Sequence, residues 1–115
     1  MKTIVSLLFF CVFLWANPAS AQQKNIQKAV IQTSITCNHC KACGSCGKNL
    51  QTHLYKIKGL KTFDINEQSK EITVYYDQRK TTLETIRKRI ASLGFDADEV
   101  KASPEAFAML EECCK

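Results

Sequence analysis

The alternation of apolar and polar positions divides the chain into a short series of predicted strands and helices. The run from Lys28 to Thr36, KAVIQTSIT, is rich in β-branched residues and predicts a first strand, with Val30 as its core residue. Apolar residues then recur at helical spacing over about 45–58, and Gly59 is placed to end this helix. Alternation returns in two further strands, whose inward positions are Leu60, Phe63 and Ile65 in one and Ile72, Val74 and Tyr76 in the other.

The second half of the chain continues this order. Thr81 or Thr82 is placed to cap a second helix, which Gly94 ends and whose apolar stripe is Leu83, Ile86, Ile90 and Leu93. Phe95 to Ala102 predicts a short fourth strand, and Ser103-Pro104 predicts a C-terminal helix that runs to about Cys113, with Phe107 and Leu110 on its apolar side. With right-handed crossovers, this β-α-β-β-α-β order predicts an α+β fold: a four-stranded antiparallel sheet with two helices on one face.

The first 21 residues are set apart from this fold by their composition. A basic start at Lys2, an apolar run from Ile4 to Trp15 and small residues at 19–21 follow the layout of a cleavable signal peptide. The apolar run is too short to span a bilayer. We therefore expect cleavage near Ala21-Gln22 and a periplasmic or secreted product that is not embedded in the membrane, with a retained anchor as the alternative.

The distribution of basic residues bears on whether the protein binds nucleic acid. The formal net charge is +5, and the basic residues cluster within 41–61 and 79–89. A nucleic-acid surface would interleave aromatic residues with these, and export argues against it as well. We predict no nucleic-acid partner and interpret the basic residues as solvated faces.

The cysteines carry the candidate chemistry. The chain has seven, of which Cys11 lies in the predicted signal peptide and four crowd one loop, CNHCKACGSC. Disulfides between such near neighbours restrain little of the unfolded chain, whereas thiolates at this spacing can share one soft metal ion. The predicted metal ligands are therefore Cys37, Cys40, Cys43 and Cys46, with paired disulfides formed after export as the alternative. His39 lies between two cysteines, is expected to point outward, and ranks below them.

Two further features concern the environment of these sulfurs. Cys43 and Cys46 lead into the first predicted helix, whose N-terminus favours thiolates, so we expect exposed and reactive sulfurs. The chain ends with Cys113 and Cys114. A terminal helix about as long as the preceding strand can double back and bring this pair to the loop, as additional ligands or as a redox partner. The alternative is a chain end that takes no part.

The loop and the residues after it resemble the heavy-metal-associated domain family, which includes copper chaperones and a periplasmic mercury-binding protein. The family motif is Met-x-Cys-x-x-Cys, followed by apolar residues four, eight and eleven positions on and a glycine thirteen on. Counted from Cys46, these positions hold Leu50, Leu54, Ile57 and Gly59. Counted from the preceding strand, Ile35 replaces the methionine and Cys37 and Cys40 become the pair. An insertion in the loop reconciles the two registers.

The resemblance implies a ferredoxin-like βαββαβ sandwich, here followed by a C-terminal helix. The predicted organisation is a signal peptide at 1–21, a polar lead-in at 22–27, a heavy-metal-associated domain at 28–102, and a C-terminal helix with its Cys-Cys tail at 103–115.

The predicted function is capture of a soft metal ion and its transfer by thiolate exchange, without catalysis. Cu(I) or Hg(II) ranks ahead of Zn(II), and an iron–sulfur cluster ranks last because the spacing after the third cysteine is short and no proline follows the fourth. The expected partner is a metal-transporting membrane protein or an efflux-pump domain. The alternatives are a thiol–disulfide exchange protein and a zinc-stabilised interaction module.

Overall fold

The computed structural model describes residues 25–36, 46–112 and 115. The elements in this part of the chain are β1 (Ile26–Gln32), α1 (Cys46–Leu54), β2 (Leu60–Asn66), β3 (Glu71–Asp77), α2 (Leu83–Ser92) and α3 (Pro104–Ala108). The strands form an antiparallel sheet in the order β1-β3-β2, so β3 is central. The predicted α+β class is confirmed. Within the described residues no helix has both the length and the apolar character needed to cross a membrane.

One face of the sheet carries most of its buried apolar side chains, because β3 alternates from Glu71 to Tyr76. Ile72 and Val74 are fully buried, and Tyr76 is 9% exposed. Ile72 lies opposite Ile31 of β1 and Ile65 of β2, which places three isoleucines side by side across the sheet. Both α1 and α2 pack into the same core, to which they contribute Leu50, Leu54, Ile86 and Ile90.

The prediction that Val30 belongs to this core is wrong. The first strand begins at Ile26 and pairs Ala29 with Val74, so residues 29 and 31 face the helices. Val30 therefore lies on the opposite face and is 47% exposed. Successive apolar residues leave the buried face of a strand undecided, and here the register with β3 decides it.

The first helix is shorter than predicted, since it ends at Leu54 rather than near residue 58. The Ile57 amide donates to the Leu54 carbonyl at 3.0 Å, three residues back, which is the tightened turn common at helix ends. Gly59 then adopts φ +104°, and a Cβ there would lie 2.7 Å from Cβ of Lys80. Glycine thus allows the segment after α1 to approach the one before α2.

The predicted fourth strand from Phe95 to Ala102 is not formed; the sheet of the described residues has three strands. Ala97 makes only isolated bridges, to Thr33 and to Val100. Ala97 and Val100 exchange backbone hydrogen bonds of 2.9 and 3.0 Å, and Asp98 between them adopts φ +52°. The chain turns back on itself after one bridging residue, so it cannot continue as an extended strand.

Both later helices begin as the sequence predicts. The Thr82 hydroxyl accepts a hydrogen bond from the Thr85 amide at 3.2 Å, and Ser103 caps α3 with Pro104 in its first turn. α3 ends at Ala108, well before the predicted end. Leu110 is 5% exposed and joins the core, but Phe107 is 41% exposed, so the expected apolar side of α3 is only partly present.

Candidate metal centre

Three chain segments meet at the end of the sheet where β1 leads towards the cysteine loop. The Thr33 amide donates to the carbonyl of Lys70, in the β2–β3 turn, at 3.0 Å. The Asp96 amide donates to the Ser34 hydroxyl at 2.9 Å. The entrance to the loop therefore lies beside the β2–β3 turn and beside the segment that follows α2.

Asp98 fastens this end of β1 to α2. Its carboxylate accepts a hydrogen bond from the Gln32 amide at 2.8 Å, and its own amide donates to the Gln32 carbonyl at 2.8 Å. Arg87 of α2 donates to the other carboxylate oxygen at 2.8 Å, and this hydrogen bond raises the pKa of Arg87 above its usual range. A buried Ile35 follows, at 1% exposure. The strand that enters the loop is thus held at several successive residues.

Cys46 is the predicted ligand that the structure describes. It is the first residue of α1 and is fully buried in the core cluster, one turn before Leu50. Its sulfur is disulfide-bonded. Since every other cysteine lies outside the described residues, so does its partner. The expectation of an exposed sulfur is wrong for Cys46, because the helix begins against the core rather than in solvent.

The other predicted ligands lie outside the described residues, and their role stays a prediction: Cys37, His39, Cys40, Cys43, Cys113 and Cys114. Among residues 25–36, 46–112 and 115, no group of three or more histidine, cysteine or acidic side chains could hold an ion. The described residues therefore include the strand that leads into the cysteine loop and one predicted ligand, Cys46.

The structure also shows a contact that the sequence analysis did not identify. The Thr36 hydroxyl donates to the carbonyl oxygen of Lys115, the last residue, at 3.0 Å. Lys115 also contacts Glu112, through its amide and its ammonium group, both at 3.3 Å. The end of the chain thus lies at the entrance to the cysteine loop. No residue pattern signals this contact; only the estimated length of the terminal helix pointed in that direction.

Comparison with known proteins identifies a family for part of the chain. Residues 41–96 match the family model of the heavy-metal-associated domain. A zinc-transporting ATPase from Synechocystis sp. is 33% identical over 61 residues, which are 53% of this chain. The chain spans only 8% of the length of that relative.

Two solved structures have a similar fold. Oxidized MerP from Ralstonia metallidurans CH34 superposes with a TM-score of 0.53 at 18% identity, over 64% of this chain and 94% of that one. The yeast copper transporter domain CCC2A superposes with a TM-score of 0.51 at 26% identity, over 67% of this chain and 99% of that one. The family match begins just before Cys43 and contains α1, β2, β3 and α2. The chain therefore carries a domain of the heavy-metal-associated family.

Proposed function

We propose that this protein is an exported carrier that captures a soft metal ion with cysteine thiolates and passes it to a partner by thiolate exchange. The observation that carries the proposal is Cys46, a sulfur fixed at the first residue of α1 within the family match. Thiolate ligands favour Cu(I) or Hg(II), with Zn(II) next. Capture replaces thiol protons with metal–sulfur bonds and release reverses this, with no organic substrate converted, so the proposed activity is not enzymatic.

Within the loop, Cys43 and Cys46 are the proposed primary pair. The family match starts at residue 41, so it includes these two and excludes Cys37 and Cys40. The excluded pair directly follows the strand-side residues that the structure anchors at Ile35 and Thr36. We assign it as a second pair of ligands, which can take over an ion one sulfur at a time.

The terminal pair, Cys113 and Cys114, is proposed to join this site. The support is the contact between Thr36 and Lys115, because Cys37 follows one of these residues and Cys114 precedes the other. Leu110, buried in the core, anchors the preceding segment. The terminal sulfurs would supply additional ligands, or exchange disulfides with the loop cysteines.

The disulfide at Cys46 defines what must happen before metal binds. Two electrons and two protons, delivered by a dithiol reductant, convert it to two thiols, whose protons a metal ion then displaces. Since Cys46 is fully buried, an external thiolate is expected to attack the partner sulfur instead. Metal binding should therefore depend on the redox state of the protein.

The same disulfide favours thiol–disulfide exchange as a second candidate function. A reduction potential in the range of the oxidoreductases, together with reduction of insulin, would support it over metal transfer.

The proposed partner is a metal-transporting membrane protein or an efflux-pump domain, on the same side of the membrane as the exported carrier. Support comes from the segment shared with a protein described as a zinc-transporting ATPase. The predicted signal peptide at 1–21 supports an encounter in the periplasm or outside the cell.

The test is metal titration of anaerobically reduced protein with Cu(I), Hg(II) and Zn(II), with stoichiometry from elemental analysis. Three paired variants separate the contributions and serve as controls for one another: Cys43→Ser/Cys46→Ala, Cys37→Ser/Cys40→Ser and Cys113→Ser/Cys114→Ser. Alanine is used at the buried position to avoid placing a hydroxyl in the core. The first variant should lose high-affinity binding while remaining folded.

Reduced protein that binds none of the three ions would falsify the proposal. If the third variant keeps the stoichiometry and affinity of the unmodified protein, the terminal cysteines have no role as ligands.

A further inference from the structure

A basic pocket of about 360 Å³ opens beyond the C-terminal end of α1. Four cationic side chains line it: Lys56, Lys58, Lys80 and Arg89. Among the described residues, no acidic side chain lines it. The pocket is separated from Cys46 by the length of α1, roughly 12 Å at 1.5 Å per residue. It is therefore distinct from the candidate metal centre.

The backbone holds these cations together. Gly59 lets the segment after α1 pack against Lys80, at a distance that a side chain would obstruct. Thr82, Thr85 and Arg89 lie along one face of α2, at the spacing of successive helical turns. The N-terminus of α2 adds the positive end of a helix dipole. The cations thus come from three segments with fixed relative positions.

Within the described residues the four cations lack a carboxylate at ion-pair distance, although the charge of Lys80 contributes to lowering the pKa of Asp77. Other arginines of the described chain pair closely: Arg79 with Asp77 at 3.0 Å and Arg87 with Asp98 at 2.8 Å. None of the four pocket cations forms an ion pair with a described carboxylate. Mutual repulsion among them is relieved by a bound anion, and most by one that carries more than a single charge.

Hydroxyl groups supplement the charge. The Thr82 and Thr85 hydroxyl oxygens are 2.9 Å apart and share one hydrogen bond, so one hydroxyl proton remains for an outside acceptor. Thr81 also lines the pocket, is 8% exposed, and has a buried hydroxyl without a partner among the described residues. A buried polar group without a hydrogen bond costs free energy. A hydrogen bond from the Thr81 hydroxyl to a ligand or a bound water would recover it.

We propose that this pocket binds a phosphate group. A phosphate offers the multiple negative charge that four cations match and the acceptor oxygens that hydroxyl groups and guanidinium donors require. The same chemistry is present in inorganic phosphate and in the headgroup of an anionic phospholipid. None of the described pocket residues is a predicted metal ligand, and the proposal does not depend on the proposed metal function.

The first test is an amide NMR titration of the protein with inorganic phosphate at constant ionic strength, with chloride as the reference anion. We expect saturable shifts at Gly59, Thr82 and Thr85. The double variant Lys80→Gln/Arg89→Gln should bind phosphate about tenfold more weakly. The control Lys88→Gln/Lys101→Gln removes the same net charge outside the pocket and should bind within about twofold of the unmodified protein.

Absence of saturable shifts up to about 20 mM phosphate, where a millimolar Kd would be evident, overturns the proposal. So does an equal loss of affinity in the two double variants, because that result means attraction by net charge alone.

Cosedimentation with vesicles then distinguishes the two sources of phosphate. Binding to phosphatidylglycerol but not phosphatidylcholine vesicles, lost in Lys80→Gln/Arg89→Gln and displaced by phosphate, assigns the lipid headgroup. Saturable phosphate shifts without vesicle binding assign the free anion. Vesicle binding without phosphate shifts, weakened equally in both double variants, overturns the pocket as the site.

Discussion

Substitution of Gly94 by alanine tests how the C-terminal segment is attached to the domain. Gly94 follows α2 with φ +101°, in a region of backbone conformation that side chains rarely adopt. A Cβ there would lie 3.0 Å from the backbone of Ala106 and Phe107 in α3. The substitution therefore strains its own backbone and pushes α3 away from the end of α2.

The expected magnitude follows from the two effects. A residue held in such a conformation costs about 1–3 kcal/mol. The contact with α3 is relieved if α3 moves, since the only buried apolar anchor near it in the described chain is Leu110. For a domain of this size, about 1–3 kcal/mol lowers the melting temperature by roughly 5–20 °C.

Gly59→Ala is the matched control, because Gly59 has nearly the same φ, +104°, but contacts Lys80 instead of α3. Both variants should melt earlier, so the discriminating measurement is amide hydrogen exchange of Phe107 and Leu110. These amides donate to Ser103 and Phe107, respectively. Their protection should fall in Gly94→Ala and persist in Gly59→Ala. Unchanged protection in Gly94→Ala, or a melting temperature within about 2 °C of the unmodified protein, would refute the reasoning.

Three further predictions concern the fold. Arg79 hydrogen-bonds the Asp77 carboxylate and lowers its pKa from 3.8 to about 2. Because the pKa of Asp77 is lower in the folded than in the unfolded protein, the ionised carboxylate stabilises the fold above about pH 4, and this stabilisation is lost as the pH falls to about 2. The urea unfolding midpoints of Asp77→Asn and the unmodified protein should therefore differ at pH 7 and converge at low pH. Ile72→Ala should cost about 2–5 kcal/mol in urea unfolding, and Val30→Ala under about 1 kcal/mol, since only Ile72 is buried. Treatment of reduced protein with a chelator should leave the circular dichroism spectrum of the fold unchanged, whereas its collapse would favour the zinc-stabilised module.

The accuracy of the sequence predictions depends on how strongly local pattern constrains each element. β3 alternates and α2 has both a cap and a regular apolar stripe, so the inward residues of β3 and the start of α2 were predicted correctly. β1 contains successive apolar residues, and its inward face is set by pairing with a strand about 40 positions away in sequence. That information is absent from the strand itself, which is why Val30 was assigned to the wrong face.

Predictions about the site likewise succeeded where local spacing was sufficient and failed where tertiary packing was decisive. That a cysteine begins α1 follows from local spacing, and the structure has Cys46 there. Its burial depends on how α1 packs against the sheet, which is a tertiary property. The approach of the chain end to the loop depends on the direction of every element from α2 onwards, including the turn at Asp98. Length alone suggested it, and length does not specify direction.

The placement of Cys46 couples the site to the fold in one direction. Cys46 is packed beside Leu50, so the core fixes where its sulfur lies. The core itself is formed by residues such as Ile72 and Ile86, which are fully buried and lie outside the cysteine loop. A carrier needs this arrangement, because an ion whose binding also folded the protein would be held by the folding free energy and released only at that cost. For the proposed carrier, we therefore expect the fold to persist without the ion, because its buried core is built from residues outside the loop.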